Sequence, residues 1–143
     1  MLFNNFTMYA LFLFFSLFFS RPEAVELEPI VFLEKMEHSG NYLLIDTRRV
    51  EKYCESRLPG AVWCGSRKML RGKVKDADKH IDLFVYCSIG KTSKIATKQL
   101  IRMGFKNVYE LKGGFPLWSE LGFPMDAMPF HDGDICNDVL FTP

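Results

Sequence analysis

The chain has 143 residues, a net charge of +1 and four cysteines. That length is about enough for one small domain with a single core, with no sign of a second, and the near-balanced charge says little about partners, with no nucleic acid expected. Cys54, Cys64, Cys87 and Cys136 are too few for a disulfide-dense scaffold. No two of them have the short spacing of a zinc ligand pair, and His38, His80 and His131 are not paired with them, so no metal site is expected.

The first twenty residues, MLFNNFTMYALFLFFSLFFS, carry no charged side chain and hold seven of the fourteen Phe. Residues 1–24 read as a signal peptide or an N-terminal membrane anchor: the apolar run has signal-peptide length and a polar, mixed-charge stretch follows it. The expectation is export, periplasmic or secreted, with membrane attachment only if the leader is retained. In an exported protein a disulfide is permitted, and Cys54 with Cys64, flanking one loop, is the favoured pair; two separate buried thiols are the alternative.

Pro29 opens a helix through Ile30–His38, with Ile30, Leu33 and Met36 as its apolar positions and Gly40 as its stop. Y-L-L-I-D (Tyr42 to Asp46) is a short buried strand. Arg49 to Ser56 makes about two turns of helix. The L-P-G loop at Leu58 to Gly60 ends it, and Ala61 to Trp63 is a brief strand. Residues 65–80 are basic and weakly patterned, with a single turn near Asp76 to Lys79. D-L-F-V-Y (Asp82 to Tyr86) is the clearest strand, and Ser93 to Met103 the clearest helix, stopped by Gly104. Asn107 to Leu111 is a further strand, Gly113-Gly114 a turn, and Pro116 to Leu121 a short helix. The tail, residues 125–143, has no trustworthy period. Strands alternating with helices in this way give an α/β fold: a central parallel sheet of about five strands with helices on both faces.

In such a sheet, ligands bind where the carboxyl ends of strands lead into helix N-termini. Cys87 occupies that position, at the change from an apolar strand to the polar loop Ser88-Ile89-Gly90-Lys91-Thr92-Ser93, and is expected to be presented rather than buried. Gly90 permits a positive φ, so that the loop can aim successive backbone N–H groups into one concavity. The helix N-terminus and the Lys91 ammonium favour thiolate over thiol. Lys91, Lys94, Lys98 and Arg102 share one helix face, a cationic approach for an anionic substrate or simply a solvated surface. A cysteine phosphatase loop needs an Arg six residues after the Cys to fork onto phosphate oxygens; here that residue is Ser93 and the loop has no Arg. Phosphate-ester hydrolysis is therefore disfavoured, and sulfur transfer remains.

Four segments, in order, resemble the rhodanese (thiosulfate sulfurtransferase) family, of the single-domain exported kind. L-I-D-T-R (Leu44 to Arg48), with Glu51 and Tyr53 after it, resembles the family's apolar-D-x-R strand end. L-P-G-A-V (Leu58 to Val62) resembles its I-P-G-A-x loop, and V-Y-C-S-I-G-K-T-S (Val85 to Ser93) its active loop. G-F-K-N-V-Y-E-L-K-G-G (Gly104 to Gly114), followed by Trp118 and Pro124, resembles its ending. The resemblance places a rhodanese-like domain at residues 25–124. It implies that Cys87 accepts a sulfane sulfur from a small anionic donor, thiosulfate or a persulfide, and passes it to cyanide or a thiol. Ser88 to Ser93 would form the cradle, and Asp46 and Arg48 would brace the strand end. No metal or organic cofactor is implied. Two positions depart from the pattern: Arg57 where a His is usual, and Thr92 where many members have Arg. A carrier module serving a protein acceptor, and a redox protein with Cys136 resolving Cys87, are the other readings.

Overall fold

The computed structural model describes residues 22–127 and Cys136; the leader reading falls on residues outside these, except for its last three positions. Five strands, β1 (Val25–Leu27), β2 (Tyr42–Asp46), β4 (Val62–Trp63), β5 (Asp82–Tyr86) and β6 (Asn107–Leu111), form one parallel sheet in the order β1-β6-β5-β2-β4. β3 (Ser56–Arg57) and β7 (Asp126–Ala127) make a separate antiparallel pair. The helices are α1 (Pro29–His38), α2 (Val50–Glu55), α3 (Arg67–Val74), α4 (Lys91–Arg102) and α5 (Gly114–Glu120).

The strands read as continuous apolar runs because both faces of the sheet are covered. Leu44, Phe84 and Tyr86 point to one side, where Phe32 and Met36 of α1, Tyr53 and Cys54 of α2 and Trp118 of α5 pack on them. Ile45, Leu83 and Val85 point to the other, against Leu70 and Val74 of α3 and Ala96 and Leu100 of α4. Sequence reasoning missed α3. Its core contact is a single pair one turn apart, Leu70 and Val74, among Arg, Lys and Gly, so its apolar period is too short to register. The one clear signal is Ser66, whose side chain caps the helix by accepting from Met69 N–H at 3.2 Å.

The expected Cys54–Cys64 pair is not formed. Cys54 packs in the cluster on one side of the sheet and Cys64 in the cluster on the other, so the sheet itself separates the two sulfurs. Cys54 is instead bonded to Cys136, with Cα atoms 5.4 Å apart across 82 residues of sequence, and Cys64 is a buried free thiol. This also removes Cys136 as a resolving partner for Cys87, since its sulfur is already committed. The disulfide closes a long loop around much of the domain and constrains the unfolded chain accordingly. Reduction, or Cys136→Ser, is expected to lower the unfolding free energy by about 2–4 kcal/mol. The check is a urea titration with and without reductant, in which superimposed curves would contradict the bond.

β2 and β5 lie side by side, Asp46 level with Tyr86. From β2 the chain next enters the sheet at β4 on one flank, and from β5 at β6 on the other. The loops after these two strands therefore diverge and leave a crevice at the carboxyl edge, the position where such sheets bind ligands.

Candidate functional site

Cys87 is the first residue after β5, and four residues later α4 begins. Gly90 sits between them with φ 77°, a left-handed conformation that a side chain would strain. That turn brings the Gly90 N–H back onto the cysteine, donating to Sγ at 2.9 Å. From the first turn of α4, Ser93 Oγ lies 3.1 Å from the same sulfur. Burial by itself would push the Cys87 thiol up; hydrogen bonds from Ser93, Thr92 and Ile89 outweigh it and hold the thiol below its ordinary range.

The loop is held from behind by α5. Phe115 N–H donates to the Cys87 carbonyl at 2.8 Å, and Gly114 approaches so closely that a Cβ there would fall 2.3 Å from the same oxygen. The expectation that Cys87 is presented is corrected in one respect: the residue is only 2% exposed. It lines a cavity of about 320 Å³ whose wall includes Thr47, Arg48, Arg49, Trp63 and Lys91. The apolar strand on one side and the backing helix on the other cover the thiol, leaving the crevice as its way out.

The other expected residues divide into two groups. Ser88, Ile89, Lys91 and Thr92 line that cavity beside Cys87, with Ile89 at 80% exposure the outermost of them. Thr92 Oγ1 lies 3.0 Å from Thr47 Oγ1, tying the cysteine loop to the loop after β2. Asp46 and Arg48 form a buried brace beneath. The guanidinium donates to the carboxylate at 2.6–3.1 Å, Nη2 also donates to the Ser56 carbonyl at 2.6 Å, and the Phe115 ring lies 3.9 Å from the guanidinium carbon. Arg48 in turn presents its carbonyl to Trp63 Nε1 at 2.9 Å, fixing the indole at the cavity wall.

Residues 31–121 match the rhodanese-like domain family. The chain belongs to that family. Among curated relatives, thiosulfate sulfurtransferase GlpE of Coxiella burnetii is 34% identical over 76 residues, covering 53% of this chain and 70% of that protein. The adenylyltransferase and sulfurtransferase UBA4 of Meyerozyma guilliermondii is 35% identical over 89 residues, 56% of this chain. The match spans only 20% of that larger protein. Of solved structures, the Alr3790 protein from Anabaena shares the fold with a TM-score of 0.64 at 23% identity, covering 71% of this chain and 82% of that one. A rhodanese-related protein from Thermoplasma volcanium does so at 0.60 and 22% identity, covering 71% and 97%. Sulfurtransferases are thus among the named relatives of this rhodanese domain.

The two departures from the rhodanese pattern have visible settings. Arg57 stacks its guanidinium carbon 4.7 Å from the Tyr53 ring and pairs through β3 with Asp126 of β7. Thr92 serves the tie to Thr47 instead of supplying charge, and the cations at the cavity are Arg48, Arg49 and Lys91. Sequence reasoning missed two residues here. Arg49 was read only as a helix start; nothing in one sequence tells that its neighbour loop would fold beside Cys87. Glu110 was read as an ordinary strand residue, yet it is 4% exposed and accepts from Ser93 Oγ at 2.7 Å. A carboxyl in the middle of a strand buried on both faces was the signal that could have found it.

Proposed function

We propose that this rhodanese-like domain is a sulfurtransferase working through a Cys87 persulfide. One observation carries the reading: a thiol held below its ordinary range by Ser93, Thr92 and Ile89, with the Gly90 N–H on its sulfur, opening on a cavity walled by Arg49 and Lys91. The thiolate attacks the sulfane sulfur of thiosulfate, forming a sulfur–sulfur bond as the donor's own breaks, and sulfite leaves with the electron pair. The loop N–H groups that face Sγ are then placed to hold the negative charge of the outer persulfide sulfur. Cyanide or a thiolate attacks that outer sulfur, and the Cys87 thiolate is regenerated. Arg49 and Lys91 favour an anionic donor at the mouth, in the role that an Arg at position 92 would otherwise take.

The deciding experiment is intact mass after incubation with thiosulfate. Wild type is expected to gain one sulfur atom, lost again on adding cyanide, and Cys87→Ser to gain none. A wild type that gains no sulfur from thiosulfate or from a glutathione persulfide overturns the proposal. A dedicated protein acceptor is the second reading, favoured by the exposed Ile89 at the cavity rim. Export is also part of the proposal: the Cys54–Cys136 disulfide supports an oxidising compartment, and N-terminal sequencing of the mature protein tests it.

A further inference from the structure

Ser93 stands between two acidic groups that lie in different parts of the sequence. Its hydroxyl donates to Glu110 Oε1 at 2.7 Å while its oxygen lies 3.1 Å from Cys87 Sγ. All three side chains are nearly sealed from solvent, Cys87 at 2%, Ser93 at 1% and Glu110 at 4% exposure. The carboxyl is also close to the loop turn, since a Cβ on Gly90 would come within 3.8 Å of Glu110 Oε1. A hydroxyl has one hydrogen to give, so it cannot donate to a thiolate and to a carboxylate together. When it donates to Glu110, its lone pairs can receive only an S–H from Cys87; when it donates to a thiolate, Glu110 must carry a proton to donate to it.

We propose that Glu110 is the proton acceptor for Cys87, acting through Ser93, so that thiol with carboxylate and thiolate with carboxylic acid are two forms of one coupled unit. The conversion balances without any further reagent. The Cys87 proton passes to Ser93 Oγ, the proton already on Ser93 passes to Glu110 Oε1, and the hydroxyl is intact at the end, now donating to the thiolate. Glu110 never touches the sulfur donor; it is a positioning residue whose effect reaches the sulfur through one hydroxyl. The proposal rests on Cys87 being the attacking group described above.

The surroundings of Glu110 suit a proton acceptor, because they make its carboxyl hold a proton more readily than an exposed one does. Burial raises its carboxyl above the usual range, the Ser93 hydrogen bond and the Lys94 ammonium of α4 oppose that, and Glu26 adds to it from β1, where it is level with Glu110 in the sheet. On its far side Glu110 lines a cavity of about 660 Å³ together with Glu23, Glu26, Lys94, Lys98 and Arg102. None of these residues lines the cavity at Cys87. The proton thus has a route to solvent that the sulfur donor does not occupy. The Lys94–Lys98–Arg102 stripe, which sequence alone read as a cationic approach for an anionic substrate or a solvated helix face, borders this second cavity instead of the cavity at Cys87.

The test is the pH profile of Cys87 alkylation by iodoacetamide, with the domain's folding followed by circular dichroism. Alkylation needs no sulfur donor, so its outcome is separate from whether sulfur transfer occurs. Wild type is expected to show a rise broader than a single titration, because the pair loses two protons in two overlapping steps and thiolate forms partly in the first and fully in the second. In Glu110→Gln the competing negative charge is gone, and the amide N–H can donate to Ser93 without taking up a proton. Its profile should become a single titration at lower pH, alkylating about tenfold faster below the wild-type midpoint, the equivalent of about one pKa unit. In a Ser93→Ala background the same Glu110→Gln change should shift the profile far less. An unchanged or upward-shifted Glu110→Gln profile, or a shift that persists in full without Ser93, overturns the proposal. If Glu110→Gln does not fold, the carboxyl carbon resonance of Glu110 in wild type serves instead: two coupled steps are expected, and a single step overturns it.

Discussion

Asp46→Ala is expected to lose about 3–5 kcal/mol of unfolding free energy, the cost of leaving a buried charge without its partner. Arg48 is 5% exposed and Asp46 fully buried, with three hydrogen bonds running from the guanidinium to that carboxylate. Removing the carboxylate strands a cation against the Phe115 and Tyr86 rings, with only the Ser56 carbonyl among the described residues left to accept from it. It also removes the acceptor for the Arg48 backbone N–H, which donates to Asp46 Oδ1 at 2.8 Å. The double change Asp46→Leu with Arg48→Met should recover much of the loss, because no buried charge then remains. Urea unfolding of the two variants beside wild type decides the matter. A single variant within 1 kcal/mol of wild type, on the order of an exposed ion pair, would show that the pair is wet and adds little.

Gly114→Ala is expected to strike the chemistry harder than the fold. The residue has φ +60°, and its missing Cβ would lie 2.3 Å from the Cys87 carbonyl and 2.8 Å from that of Ser88. The backbone strain is on the order of 1–3 kcal/mol. The overlap is with main chain, so it is relieved only by moving α5 off the cysteine loop and breaking the Phe115–Cys87 hydrogen bond. A displacement of that kind can cost about a hundredfold in rate when it misplaces the reacting atom, and persulfide formation should fall by that order. Gly40→Ala is the control: nothing lies within 4 Å of its added Cβ, and its φ is not left-handed. Rates of sulfite release with thiosulfate measure the effect, and a Gly114→Ala rate equal to the control's would contradict the close approach.

The sheet was legible because its three inner strands are apolar runs bounded by turns, and Tyr42–Asp46, Asp82–Tyr86 and Asn107–Leu111 are found where sequence expects them. The cysteine loop was legible for a local reason too: strand, glycine turn and helix start are all encoded within ten residues. What escaped depends on which side of the sheet a residue faces once the strands have assembled. Cys54 and Cys64 look like partners along the chain and are on opposite faces; Cys54 and Cys136 look unrelated and meet. Glu110 belongs to the same class, since only the pairing of β6 with β5 brings its carboxyl beside Ser93. The degree to which Cys87 is covered was likewise hidden, because α5, which backs its loop, begins 27 residues later in the sequence.

That distance has a consequence for synthesis. The chain emerges from its N-terminus, and Cys87 leaves the ribosome well before Glu110, Gly114 and Phe115 do. Until those residues have followed, the Cys87 carbonyl has no Phe115 N–H to hold it, and Ser93 has no carboxyl to receive its hydrogen. The cysteine loop is therefore unbraced during translation, and the Cys87–Ser93–Glu110 unit is complete only when β6 and α5 have packed against it. A nascent or C-terminally truncated chain carries the cysteine and its loop without the backing that fixes them in place.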